Sequence, residues 1–316
     1  YITYDGLNNS VFESQVLELL RFLSSNVGVP TLIAFEKKLK TRREKEREEA
    51  IASYFNGETI ILPKWPLLSK EFLKPPIFAL QRVISRNPSK KSGTVMHCRG
   101  QLGSYVGLMA KKALFRPDLK VLADVRGLAS DELLYSAKYA KLKDIVLLPV
   151  RYRAMRDIEK LIYSEAEFIS CVSTALKNYL ISHFKIPTWK IDVVPCSVDT
   201  SKFMYNVETR EDMRQRLNVS RKIVFVYCGS TERWQRIDKV IEFFKIANSI
   251  SGNVHLLLLI NGDKRMVNNF LISSGLNMGN ITIISAGHDD VPRFLMAGDV
   301  GLIIRDDNLL NAVSFP

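Results

Sequence analysis

The chain has 316 residues, 47% of them hydrophobic and 25% charged, and carries a formal net charge of +12. This length suits two domains that each bury a core of their own, and the composition excludes disorder. No apolar run approaches the roughly 20 residues that a helix needs to span a bilayer.

Tyr1 to Tyr4 opens the chain directly as a strand, with neither signal peptide nor initiating Met, so the true start is expected upstream. Ser10-Val11-Phe12-Glu13 has the form of a capping box, and Phe12, Val16, Leu19, Leu20 and Leu23 fall on one face of the helix it opens. A strand at 31–35 leads into a helix that begins with the basic run Lys37-Lys38-Leu39-Lys40-Thr41-Arg42-Arg43. Its acidic remainder reads as a solvated face with i,i+4 pairs, whereas the basic start suits lipid headgroups. Strands follow at 59–62, 95–98, 121–123, 168–172 and 191–194. Between them lie a helical stretch after Pro76 and helices at 104–114, 130–142, 154–163 and 174–182. Pro195 ends the last strand because it has no N–H for the ladder.

The second half repeats the plan, with helices at 210–217, 236–250, 265–274 and 291–297. Strands at 223–228, 255–260, 281–284 and 300–304 alternate with them, and His255–Ile260 reads as a strand buried on both faces. Such alternation argues for an α/β chain of doubly wound parallel sheets. A complete Rossmann-like domain has about six strands. Only four are visible here, so the second domain is expected to be incomplete in this chain.

Cys98, Cys171, Cys196 and Cys228 lie far apart in or beside apolar runs and read as reduced core residues of a cytosolic protein. The four histidines show no metal-ligand spacing, and no D-x-D occurs. The positive charge calls for an anionic partner: nucleic acid, an anionic membrane face or a phosphorylated substrate. It is not gathered into one stripe, which counts against nucleic acid. Lys111, Lys112 and Arg116 are further candidates for headgroup contact.

Two turns are suited to chemistry. Cys228-Gly229-Ser230-Thr231-Glu232-Arg233-Trp234-Gln235-Arg236 leaves a buried strand and enters a helix. Gly229 permits close backbone approach, the helix N-terminus favours an anion, and Arg233 and Arg236 offer bidentate phosphate donors. The alternative is a glycine turn with two solvated arginines. Met96-His97-Cys98-Arg99-Gly100-Gln101-Leu102-Gly103 also joins strand to helix, but its glycine spacing is not G-x-G-x-x-G, so a dinucleotide site is weak. Arg99-Gly100 and Arg126-Gly127 end successive strands, as cleft residues or as structural ones; His97 reads as a core residue.

Val194-Pro195-Cys196-Ser197-Val198-Asp199-Thr200-Ser201-Lys202-Phe203 resembles the IPNGVDxxxF segment of family 4 glycosyltransferases, with Cys196 and Ser197 in place of Asn-Gly. The resemblance implies the GT-B fold of two facing Rossmann-like domains. These are 1–196 on the acceptor side, a linker at 197–209, and 210–316 holding a nucleotide-sugar donor. It implies a glycosyltransferase moving a sugar from a nucleotide-diphosphate sugar to a saccharide or lipid-linked acceptor, with retention and no cofactor or metal. The Tyr-x-Gly-Ser turn resembles the family's diphosphate-binding turn. Ser230 stands at its usual Arg position and Arg236 at its Lys, with Arg233 a substitute cation. Gly287-His288 and the segment ending Asp299-Val300 resemble the stretch near the nucleotide, which makes His288 a candidate and brings in Arg305 on the next strand. By the resemblance Arg99 takes the place of the family's His lining the acceptor cleft, and Arg126 sits where the family again has polar cleft residues. Glu159 falls in a block resembling the family's helical Glu, with a solvated glutamate as the alternative. Arg210 is expected to point elsewhere.

The family's Glu-bearing donor segment is not in this sequence, so the chain as written is expected to turn over no sugar nucleotide. Polysaccharide biosynthesis at the cytoplasmic side, with peripheral contact to an anionic membrane, is the expected setting. The rival reading is a non-enzymatic GT-B-like protein that binds a nucleotide or polyanion.

Overall fold

In the computed structural model, strands fall where β-branched and apolar residues gather. The structure describes residues 1–7, 11–37, 42–86, 94–138, 142–260 and 264–315, with the side chains of 42–45, 143 and 233 excepted. The Ser10 capping box and the basic positions 38–41 lie outside the described residues. β1 (Ile2–Thr3), β2 (Thr31–Glu36), β3 (Glu58–Pro63), β4 (Val95–Arg99), β5 (Lys120–Val125), β6 (Phe168–Cys171) and β7 (Ile191–Val193) form one sheet. Their order is β3-β2-β1-β4-β5-β6-β7. Every pairing in it is parallel.

Helices cover both faces. A π-helical turn at Glu13–Leu17 runs into α1 (Glu18–Asn26). It is followed by α2 (Arg42–Tyr54), α3 (Lys74–Arg86), α4 (Gly100–Ala113), α5 (Ala129–Ala137), α6 (Leu142–Glu165) and α7 (Thr174–Phe184). Side chains alternate across a strand, so β2 serves two cores. Leu32 and Ala34 join Phe12, Val16, Leu20, Ile51 and Phe55 on one face. Ile33 and Phe35 join the larger core on the other, with Leu80, Val106, Ile158, Ile162 and Leu176.

The second unit has α8 (Val207–Arg216), β8 (Ile223–Gly229), α9 (Ile237–Ile250), β9 (Val254–Ile260) and α10 (Lys264–Ser274). β10 (Ile281–Ile284), α11 (Val291–Met296) and β11 (Val300–Gly301) complete it. Its parallel sheet runs β10-β9-β8-β11. All seven residues of β9 are buried, and they alternate between two cores as an interior strand requires.

The sequence reading differs from the structure in several places. Helices at 130–142 and 154–163 give way to α5 and one 24-residue α6, which contains Pro149. Proline ordinarily breaks a helix, yet α6 runs through this one. The far half of α6, anchored by the buried Met155, Ile158 and Ile162, is continuous with it. α4 begins at Gly100, directly after β4, because Gly100 adopts φ +70. Cys98 and Cys171 are buried, but Cys196 is half-buried and Cys228 is exposed at a strand end.

The chain divides into two units, Tyr1–Ser197 together with Asn308–Phe315, and Val198–Asp307. Residues 308–315, read from the sequence as part of the second domain, therefore belong with the first. α12 (Leu309–Val313) packs on α7 and buries Val313 to 3% exposure. Ser173 accepts the Leu176 N–H at the start of α7 and donates its hydroxyl to the Val313 carbonyl at 2.6 Å.

Candidate active site

Open parallel sheets bind ligands beyond the carboxyl ends of their strands, where the strand order reverses. In the first sheet that point lies between β1 and β4. Arg99 ends β4 and is 4% exposed. Its Nε donates to Asp5 Oδ2 at 3.2 Å, and its Nη2 donates to Gln15 Oε1 at 2.6 Å. Arg126 follows β5 and donates from Nη2 to the same Gln15 oxygen at 2.9 Å and to Cys196 Sγ at 2.9 Å. Both predicted cleft arginines thus converge on one side-chain amide.

Asp124 lies beneath them, 4% exposed. Arg126 Nη1 is 3.5 Å from Oδ1, while Arg99 Nη1 and His97 Nε2 lie 3.9 and 3.7 Å from Oδ2. Ser170 donates to Oδ1 at 3.1 Å. Burial opposes ionisation, yet His97, Arg126 and Arg99 hold this carboxyl below the usual carboxylate range. His97 is half-buried, and its ring lies 4.6 Å from that of Tyr1 at a tilt of 49°.

Gln15 and Asp5 were not found by sequence reasoning. Gln15 sits in the π-helical turn, a feature common at functional sites, and its spacing on the predicted helix gives no sign of that. Glu159 is not a solvated helical residue: it is 1% exposed, and burial pushes its carboxyl up. It accepts from Ser130 N at 3.2 Å and Ser130 Oγ at 2.7 Å in the first turn of α5. It thereby fixes the loop that carries Arg126.

In the second sheet the order reverses between β8 and β11. Gly229 ends β8, and a Cβ there would come within 2.9 Å of Tyr227 Oη. That hydroxyl donates to the Ser230 carbonyl at 2.7 Å and sets the turn. Arg236 caps α9 with φ 45. Its guanidinium binds both oxygens of Asp238, with Nη2 to Oδ2 at 2.8 Å, and also reaches Asp306. The Asp238 hydrogen bond, opposed by burial and aided by both carboxylates, raises the Arg236 pKa. Arg305 points toward Gln235, with Nη2 3.5 Å from Oε1. Gly229, Ser230, Arg236 and Arg305 therefore share one switch point.

The remaining predicted residues stand apart. His288 is on the loop after β10, two strands from β8, and among the described residues no hydrogen bond or ion pair ties it to Arg236 or Arg305. The side chain of Arg233 lies outside the described residues. Arg210 is not a bystander. It donates to the Met296 and Gly298 carbonyls at 2.7 Å and pairs with Asp299, which ties α8 to the β11 side of the sheet.

The sequence profile of Glycosyltransferase Family 4 matches residues 13–202. The chain belongs to glycosyltransferase family 4. Solved structures share its fold at low identity. HepE from Anabaena, in complex with UDP and glucose, is 12% identical over 96% of this chain and 73% of its own, with a TM-score of 0.68. A glycosyltransferase from Rickettsia africae is 14% identical over 96% and 73%, with a TM-score of 0.62. WaaG, a glycosyltransferase involved in lipopolysaccharide biosynthesis, is 14% identical over 99% and 76%, also at 0.62. No protein of curated function matches the sequence. The two Rossmann-like parallel-sheet units are the GT-B plan, and by family the chain is a glycosyltransferase.

Proposed function

We propose that this protein moves a sugar from a nucleotide-diphosphate sugar to a saccharide or lipid-linked acceptor, with retention and without a metal. The observation that carries the donor half is the meeting of Gly229, Ser230, Arg236 and Arg305 at the β8/β11 switch point. A leaving diphosphate gains negative charge as its glycosidic bond breaks, and arginines beside a helix N-terminus offset that charge. The family resemblance adds Arg233, and His288 from its separate loop, as further donor contacts. Arg99 and Arg126 act on the acceptor side, held by Gln15 and by the Asp5 and Asp124 carboxylates. HepE has been solved with UDP-glucose, which makes uridine donors the first to try. The setting is the cytoplasmic side, at the inner face of the membrane, in building a polysaccharide.

A panel of nucleotide sugars, tried on the full-length protein, tests this reading. A productive donor raises the melting temperature, because a ligand that binds only the folded state stabilises it. It also releases nucleoside diphosphate when acceptor is added, and NMR of the product reports whether the anomeric configuration is kept. Absence of any stabilising donor would overturn the proposal.

A second reading, a nucleotide or polyanion binder without turnover, draws on one observation. Arg236 already lies between Asp238 and Asp306, so part of its charge is compensated before any phosphate arrives. Donor binding without diphosphate release would favour it.

A further inference from the structure

Of the cations first expected to meet a membrane, Lys111, Lys112 and Arg116 are engaged within the fold. Lys111 pairs with Glu167, Lys112 with Glu165, and Arg116 with Asp118. Exposed apolar side chains gather instead at the start of α6. Leu142, Ile145, Val146, Leu147 and Val150 are 77%, 45%, 68%, 42% and 54% exposed.

Two properties of this stretch narrow its occupant. Ile145, Val146 and Leu147 are consecutive, so they point about 100° apart around the helix and no single groove covers all three. After Lys143 and Asp144, residues 145–150 are apolar on every side of the helix, which suits immersion rather than docking along one stripe. The apolar stretch also passes into cations. Leu142, Val146, Pro149, Arg153 and Lys160 succeed one another at helical spacing along one face. Pro149, Val150, Arg153, Arg156, Lys160 and Lys70 line an open groove of about 800 Å3 there. Its two carboxylates are engaged, Glu71 by Ser69 and Asp157 by Lys70. Among the described residues, no carboxylate pairs with Arg153 or Lys160.

We propose that this end of α6 seats the protein on an anionic lipid bilayer. Residues 145–150 span about 9 Å of helix, which matches the roughly 5–10 Å by which apolar faces sink into the headgroup and acyl boundary. Arg153 and Lys160 follow at the level where anionic headgroups meet them. The inference rests on the membrane setting proposed above and names the surface that provides it.

The test is co-sedimentation of the full-length protein with vesicles of phosphatidylcholine alone or mixed with phosphatidylglycerol. The wild type binds the mixed vesicles, and added salt weakens that binding. Ile145→Ser with Val146→Ser lowers affinity at least about tenfold, since buried apolar area sets interfacial binding. Arg153→Gln with Lys160→Gln removes the preference for phosphatidylglycerol. Phe115→Ser, at a side chain 89% exposed elsewhere, changes nothing. All substituted side chains are at the surface, and unchanged melting curves verify the fold. Binding that survives both double variants overturns the surface alone. A wild type that ignores anionic vesicles overturns the surface and the membrane setting together. A dimer in solution that Val146→Ser dissociates assigns the stretch to a second copy and overturns the proposal.

Discussion

The Arg99 guanidinium donates to the Asp5 carboxylate at 3.2 Å and joins the ends of β4 and β1, where the strand order of the first sheet reverses. The two partners are unequal: the Arg99 side chain is 5% exposed and that of Asp5 is 42%. Removing the buried member leaves Asp124 without one of its cations. Arg99→Met is expected to cost about 3 kcal/mol of stability, and Asp5→Asn about 1 kcal/mol or less. Denaturant unfolding of the two variants checks the asymmetry.

Arg126 separates catalysis from stability better, because its side chain is 22% exposed. Arg126→Ala is expected to lower kcat/KM by about tenfold to a hundredfold while the melting temperature stays within a few degrees. Arg126→Lys keeps the charge but loses the fork that reaches Gln15 and Cys196 together, and should recover little. Diphosphate release at saturating donor, with acceptor varied, reports the split between kcat and KM.

At the donor turn of the full-length protein, Arg236→Ala is expected to lower kcat/KM by about two orders of magnitude. Asp306→Asn removes a carboxylate that competes with phosphate for the same guanidinium, and should tighten nucleoside diphosphate binding. Arg216→Ala, at a side chain 70% exposed on α8, is the comparison; Arg210 is unsuitable because it anchors the fold. If Arg236→Ala and Arg216→Ala have the same kinetics, the diphosphate does not sit on this turn.

His255 predicts a pH dependence. It lies 4% exposed in β9, with Nε2 2.8 Å from Thr282 Oγ1, and burial pushes its pKa down from 6.5 to about 4. Between those values the unfolded chain takes up a proton that the folded chain refuses. The stability linked to neutral His255 is thus fully present above about pH 6.5 and is lost as pH falls toward about 4, a change on the order of a few kcal/mol. His255→Gln should flatten that part of the profile, as followed by urea unfolding at fixed pH.

The alternation of strands and helices made both sheets legible in the sequence, and periodicity placed Phe12, Val16 and Leu20 inward. The donor turn was legible because glycine, a helix start and two arginines fall within nine residues. Gln15 was not, since its role comes from a π-turn and from contacts with residues 84 and 111 positions away. Nor were the acids beside Arg236: Asp306 is 70 residues distant, and only the parallel pairing of β8 with β11 brings it near. The full length of α6 is not legible, because its first part is largely exposed and the burial that anchors the helix, at Met155, Ile158 and Ile162, lies beyond it.

The return of residues 308–315 to the first unit imposes a schedule on biosynthesis. The face of α7 that α12 covers waits while 198–307 are translated, roughly 10 s at the usual ~5–20 residues per second. The contact that covers this face of α7 is thus available only after 198–307 have been made, and it closes a very long loop. A lesion that stalls folding of the later-made unit would leave that apolar patch open to chaperones and proteases on a neighbour that is itself unaltered.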